Sequence, residues 1–184
     1  TMQRKLEILV REIQEKNEVL NFISESDALT GCMNRRGFIE KTLQMNRDHE
    51  GEELLILFAD LDHLKEINDS FGHIEGDFSI RHCAEVLKKV VGADGIVGRI
   101  GGDEFCVVTL GNLKDGQQII ERIREESDAF NCTSDKEYYV ELSAGCTSVI
   151  CRNGLVIADA LREADRALYE VKKLRRNSVK KIRL

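Results

Sequence analysis

Residues 53–60 read ELLILFAD, a run of six apolar side chains closed by a carboxylate. A strand-length run without polar alternation has no face to offer water, so it belongs at the centre of a sheet and is buried on both sides. The rest of the chain supplies the cover. Ile80, Cys83, Ala84, Leu87 and Val91 recur at helical spacing and stop at Gly92. Ile119, Ile120, Ile123 and Phe130 mark a second helix, and Ile157, Leu161, Ala164, Leu168 and Val171 a third. GIVGRI and FCVVTL flank GGDE and read as two strands in a tight hairpin whose glycines supply positive φ angles. YYVELSAGCTSVI is a further strand, and SVKKIRL a short basic strand closing the chain. The order of elements predicts an α+β domain, a mainly antiparallel central sheet covered by helices.

Ahead of this lies a different pattern. Leu6, Leu9, Ile13, Leu20 and Ile23 follow a heptad seam, interrupted at Lys16, and a turn at SDALTGCMNRRGF with breakers Thr30 and Gly31 comes after it. Residues 1–25 are therefore expected to form an N-terminal amphipathic helix or coiled-coil linker and 26–184 the domain. The seam suits a dimer stalk and a helix packed on its own domain equally well. No apolar run approaches the roughly 20 residues of a bilayer crossing, so no membrane segment is expected. Six cysteines without CxxC spacing, several inside apolar periodic stretches, suit a reduced, cytoplasmic setting, either of a free protein or of the cytoplasmic part of a membrane-anchored one. A net charge of −6 argues against general nucleic-acid binding, although seven of the twelve residues from Lys172 to Arg183 are basic.

RIGGDEF, residues 99–105, sets two adjacent carboxylates at the tip of a glycine turn. Asp60 ends the central strand, and if the hairpin strand lies beside it, Asp60 and Asp103 converge. Hard divalent cations such as Mg²⁺ take one or two protein carboxylates and complete their shell with water and substrate phosphates, which is the incomplete cage offered here. Taken singly, Asp60 would cap a turn, and Asp103 and Glu104 would be solvated hairpin residues.

RIGGDEF carries the letters that name the GGDEF family of diguanylate cyclases. DALTGCMNRRGF, DLDHLKEIND, GHIEGD and ADRALYEVKKLRRN extend the resemblance, in family order, from about Asp27 onwards. The resemblance implies a sheet related to the palm of class III nucleotide cyclases that binds GTP and condenses two molecules into cyclic di-GMP and two pyrophosphates. It implies that Asp60, the Leu61 carbonyl and Asp103 ligate Mg²⁺, two ions per half-site with Mn²⁺ as a substitute, and that Glu104 serves the metal or the proton. Asp103, Glu104 and Lys65 are thus the expected catalytic residues. Asn68 and Asp77 match the guanine readers; otherwise they are turn-forming residues. Lys65, Lys172 and Arg176 match phosphate contacts, with the Asp62, His63 and Leu64 amides cradling phosphate at a helix start. His63 and His73 are expected to be scaffold.

Leu64 stands where the family usually has phenylalanine, and Arg175 replaces a common glycine. The RxxD of the family's inhibitory product site is replaced by GADG at Gly92–Gly95, so product feedback through it is not expected. One chain would hold half a site, and a homodimer is expected, with the opening helix continuing from an upstream sensor domain. The alternative is a catalytically weak GTP-binding signalling or dimerisation module. A cyclase making a monomeric cyclic nucleotide is disfavoured by the resemblance alone.

Overall fold

The apolar run forms β1 (Glu53–Leu61) in a computed structural model that describes residues 2–182; the side chains of 18, 19, 21–23 and 175–182 lie outside the description. β1 is flanked by β3 (Glu104–Leu110) and β4 (Leu142–Ile150), and β2 (Ile96–Arg99) pairs outside β3, giving the order β2-β3-β1-β4. The three pairings among these strands are antiparallel. The central position expected for ELLILFAD is the observed one.

The strand is buried on both faces because two separate apolar clusters use its alternate residues. Leu55, Leu57, Ala59 and Leu61 pack with Cys83, Ala84 and Leu87 of α4 (His73–Val91) and Ile123 of α5 (Leu113–Thr133). Leu54 and Ile56 pack with Phe38 of α2 (Arg35–Asp48) and with Ala160 and Ala164 of α6 (Ile157–Ile182). The three helices read from periodicity are α4, α5 and α6. Two others are α2 and α3 (Leu64–Phe71). In α2 the buried residues include polar Thr42 and Asn46, so hydrophobic spacing does not reveal it. Asn46 earns its burial by exchanging two hydrogen bonds of 3.0 Å with the Arg152 backbone.

Three expectations are corrected. The strand expected over YYVELSAGCTSVI begins only at Leu142, residues 138–141 belonging to the connection before it. The final basic strand is absent: residues 178–182 continue α6, and 183–184 lie outside the described residues. The Gly101–Gly102 turn uses no left-handed backbone; the glycine at 101 instead leaves room for the Glu104 carboxylate, which would sit 2.5 Å from a Cβ there. All six cysteines are free, four of them buried as small hydrophobes.

α1 (Met2–Glu25) enters the domain where Asn34, the N-cap of α2, donates to the Ser24 carbonyl at 2.7 Å. Its seam residues Leu6, Leu9, Ile13 and Leu20 are each more than half exposed, so these are not packed on the domain; the Ile23 side chain lies outside the described residues.

Gly145 of β4 controls how closely α6 lies on the sheet. A Cβ there would come within 2.1 Å of the Leu168 amide nitrogen, backbone that cannot swing aside. Gly145→Ala is expected to destabilise the fold by about 1–3 kcal/mol, read as a lower denaturant midpoint at unchanged m-value.

Candidate active site

The strand register assembles the acidic cluster. Asp60 stands directly opposite Glu104 on β3 and Ser143 on β4, and the Leu61 amide donates to the Asp103 carbonyl at 3.0 Å. Opposed residues in an antiparallel pair put their side chains on one face, and here that is the face covered by α2 and α6. Beyond the end of β1, the Asp62 carboxylate accepts from the Ser143 hydroxyl at 2.6 Å.

Burial raises the pKa of Asp60, and the neighbouring Asp103 and Asp62 raise it further, against the pull of Lys172. Glu104 is likewise raised by burial and by Asp103, Asp60 and Asp165, with Arg35 opposing. Such a cluster favours an added cation, and its donors are hard oxygens of the kind Mg²⁺ takes. Among the described residues no three carboxylate, imidazole or thiol side chains form a metal cage by themselves. The donor set fits an ion that draws part of its shell from elsewhere.

Lys172 is expected at a phosphate, yet it lies on the carboxylates. Its ammonium donates to Asp60 Oδ1 and lies 3.4 Å from Asp62 Oδ1. It sits one helical turn after Leu168, the residue against which Gly145 rests, so the close approach of α6 delivers it. The Arg176 and Arg175 side chains, one turn on, lie outside the described residues.

Where β1 ends, His63 adopts a left-handed conformation, φ 61°, and α3 begins. The first turn of a helix has amides without intrahelical partners and a favourable field for anions. The expected cradle loses one member: the Asp62 amide donates to the Glu141 carbonyl at 2.9 Å, leaving those of His63 and Leu64. The His63 ring lies 3.5 Å from Glu66. Lys65 is exposed on α3, and His73 is exposed at the start of α4.

Asn68 and Asp77 are not turn residues; they lie within α3 and α4. The two helices touch at Asn68, where a Cβ on Gly76 would fall 1.9 Å from Asn68 Oδ1. Gly76 thus brings a half-buried amide and the exposed Asp77 carboxylate onto neighbouring helices. At the former RxxD positions, Gly92 caps α4 at φ 78° and a Cβ on Gly95 would strike Val91 at 1.8 Å, so neither offers a cationic or acidic side chain.

A family model described as "Diguanylate cyclase, GGDEF domain" matches residues 24–178. The chain belongs to the GGDEF domain family. Diguanylate cyclase DgcP of Escherichia coli (strain K12) is 38% identical over 172 residues, 91% of this chain and 50% of that protein. Diguanylate cyclase DgcP of Pseudomonas aeruginosa is 35% identical over 158 residues, 83% of this chain and 23% of that protein. The chain therefore spans half or less of the length of these relatives. The crystal structure of the coiled coil and GGDEF domain of DgcB from Caulobacter crescentus, in complex with c-di-GMP, superimposes with a TM-score of 0.79 at 25% identity and covers 92% of this chain and 91% of that one.

Ser143, Asp165, Arg35 and the side chain of Asp62 belong to this neighbourhood and are not singled out by sequence, because only strand register and helix packing bring them in. Arg99 of the GGDEF hairpin is another such residue. It donates to the Gly102 carbonyl at 2.8 Å and to both carboxylate oxygens of Asp27, at 3.1 and 3.2 Å, tying the hairpin to the segment after α1. Burial pushes the Asp27 carboxyl up, but hydrogen bonds from Thr30 and Arg99 outweigh it and hold the group below its ordinary 3.8. A lowered pKa contributes stability that is complete above the ordinary value and is lost as pH falls through the folded one. Asp27→Asn is expected to cost about 1–2 kcal/mol at pH 7. The gap between parent and variant in thermal melts should shrink as pH falls below 3.8.

Proposed function

We propose that this chain is the catalytic part of a diguanylate cyclase, condensing two GTP into cyclic di-GMP and two pyrophosphates. The supporting observation is the meeting of Asp60, Asp103 and Glu104 through strand register, beside a free helix start and the Asn68–Asp77 pair. A carboxylate accepts from the guanine N1–H and exocyclic amine, and an amide donates and accepts, so Asp77 and Asn68 suit that base edge. The His63 and Leu64 amides, with Lys65, Lys172 and Arg176, hold the triphosphate, and Lys172 can pass from Asp60 to phosphate oxygens without leaving the site. Asp60, the Leu61 carbonyl, Asp103 and Glu104 would hold two Mg²⁺, or Mn²⁺ in their place. When bound, these ions supply charge for the departing pyrophosphate and activation of the 3′-hydroxyl.

Each GTP must present its 3′-hydroxyl to the other's α-phosphate, so one chain carries half of the reaction and a homodimer completes it. The exposed seam of α1 supports pairing through that helix. Residues 1–25 then act as the linker that joins domain 26–184 to an upstream sensor, in the cytoplasm. No described helix is long and apolar enough to cross a membrane.

Incubation with GTP and Mg²⁺ followed by chromatography tests the reading. Cyclic di-GMP is the expected product; bound but unchanged GTP would indicate a signalling module, and cyclic GMP a different cyclase. Asp103→Ala should lower turnover by roughly 10²- to 10³-fold or more. It should melt as the parent does, because the bond from Leu61 is to the Asp103 main chain. Asp77→Ala should weaken GTP binding in calorimetry by about 1–3 kcal/mol, roughly 5- to 150-fold, and blunt the preference over ATP. Unchanged affinity would remove Asp77 from base recognition.

A further inference from the structure

The connection between α5 and β4, residues 134–141, is anchored to both helices that carry the base-reading pair. Lys136 Nζ donates to Glu75 Oε2 at 2.7 Å, and the Tyr138 hydroxyl donates to the same oxygen. The Lys136 ammonium also lies 4.4 Å from the centroid of the Phe78 ring, and the Tyr138 ring packs on Phe71 at 5.0 Å. Beneath them, Phe78, His82 and Phe130 form a ring cluster, with His82 and Phe130 centroids 3.9 Å apart. His82 Nε2 has no hydrogen-bond partner, so its ring serves as packing. Glu75, Phe78 and His82 share one face of α4, and Phe71 closes α3.

The sequence positions connect this anchor to the site. Asn68 is one turn before Phe71, and Asp77 is two residues after Glu75. Gly76 sets how near the helices come, by its contact with Asn68. Gly72 alone joins the two helices, its amide donating to the Asn68 carbonyl at 2.9 Å and its carbonyl accepting from the Gly76 amide at 3.3 Å, so the chain itself restrains them at one end. The 134–141 segment adds a second restraint, since one residue, Tyr138, grips a ring on α3 and a carboxylate on α4.

We propose that Lys136 and Tyr138 are positioning residues for base recognition: through Glu75 and Phe71 they hold α3 and α4 at the spacing at which Asn68 and Asp77 read one guanine edge together. This rests on the diguanylate cyclase reading. Neither residue reaches the carboxylate cluster on β1 and β3, so the clamp acts on nucleotide binding and selection rather than on the reacting phosphate.

The test uses the full chain carrying Lys136→Met, which keeps the stem and removes the charge, Tyr138→Phe, which keeps the ring, and the pair together. Steady-state synthesis of cyclic di-GMP from GTP and Mg²⁺ should show KM for GTP raised roughly 5- to 20-fold in the double variant, with kcat within about twofold of the parent. ATP should compete more effectively than it does with the parent, and Lys136→Arg should restore a parental KM. A double variant that melts lower but keeps the parental KM and base preference would show a structural brace only and overturn the proposal. An equal fall in kcat with unchanged KM would overturn it as well. If the parent binds GTP in calorimetry but forms no product, the cyclase reading fails. The clamp is then judged on binding alone: weaker binding of GTP by the double variant supports it, and equal binding overturns it.

Discussion

The pairing register of β1 with its two neighbours is the constraint on which the site depends. It puts Asp60 opposite both Glu104 and Ser143, and it draws the Asp103 main chain onto Leu61. A one-residue slip would send every β1 side chain to the opposite face, taking Asp60 away from α6 and Lys172 and forcing Leu54 and Ile56 out of their cluster. Because β1 is buried on both faces, that slip is costly on both. The hydrophobic core therefore specifies the relative placement of carboxylates that contribute nothing to it.

Those carboxylates work against the fold that holds them. Burial raises both Asp60 and Glu104, Asp103 and Asp62 raise Asp60 further, and Asp103, Asp60 and Asp165 do the same to Glu104, which means the ionised cluster is held at a cost. Lys172 offsets part of this from α6, and Arg35 acts on Glu104 from α2. Sites in which like charges are concentrated commonly trade stability for function. Here the compensation arrives on helices whose seating depends on small residues, Gly145 beneath Leu168 above all. The same device recurs at Gly76, where the missing side chain lets α4 approach Asn68.

The turn after α1 is linked to the GGDEF hairpin through Arg99. Its guanidinium holds the Gly102 carbonyl and the Asp27 carboxylate together, so the hairpin bearing Asp103 is tied to the turn that follows α1. The exposed seam of that helix lies on the far side of the turn. Pairing along α1 would thus act on a segment already bonded to the GGDEF hairpin.

Much of this was legible in the amino-acid order. The unbroken ELLILFAD run dictates a central, doubly covered strand; the helical periods after Ile80, Ile119 and Ile157 dictate its cover; and ordered motifs from Asp27 to Asn177 mark the GGDEF domain family. These are local patterns, carried by burial periodicity and by side-chain identity at fixed spacing. Tertiary structure alone decided the rest. It revealed α2, whose buried face includes Thr42 and Asn46. It turned the final basic residues through 182 into helix and moved Asn68 and Asp77 from turns onto two touching helices. It also placed Lys172 on Asp60 and Tyr138 on Glu75, partners 112 and 63 residues apart. Such pairs leave no periodic trace in the sequence, because their proximity is set by how sheet and helices pack and not by the spacing of residues along the chain.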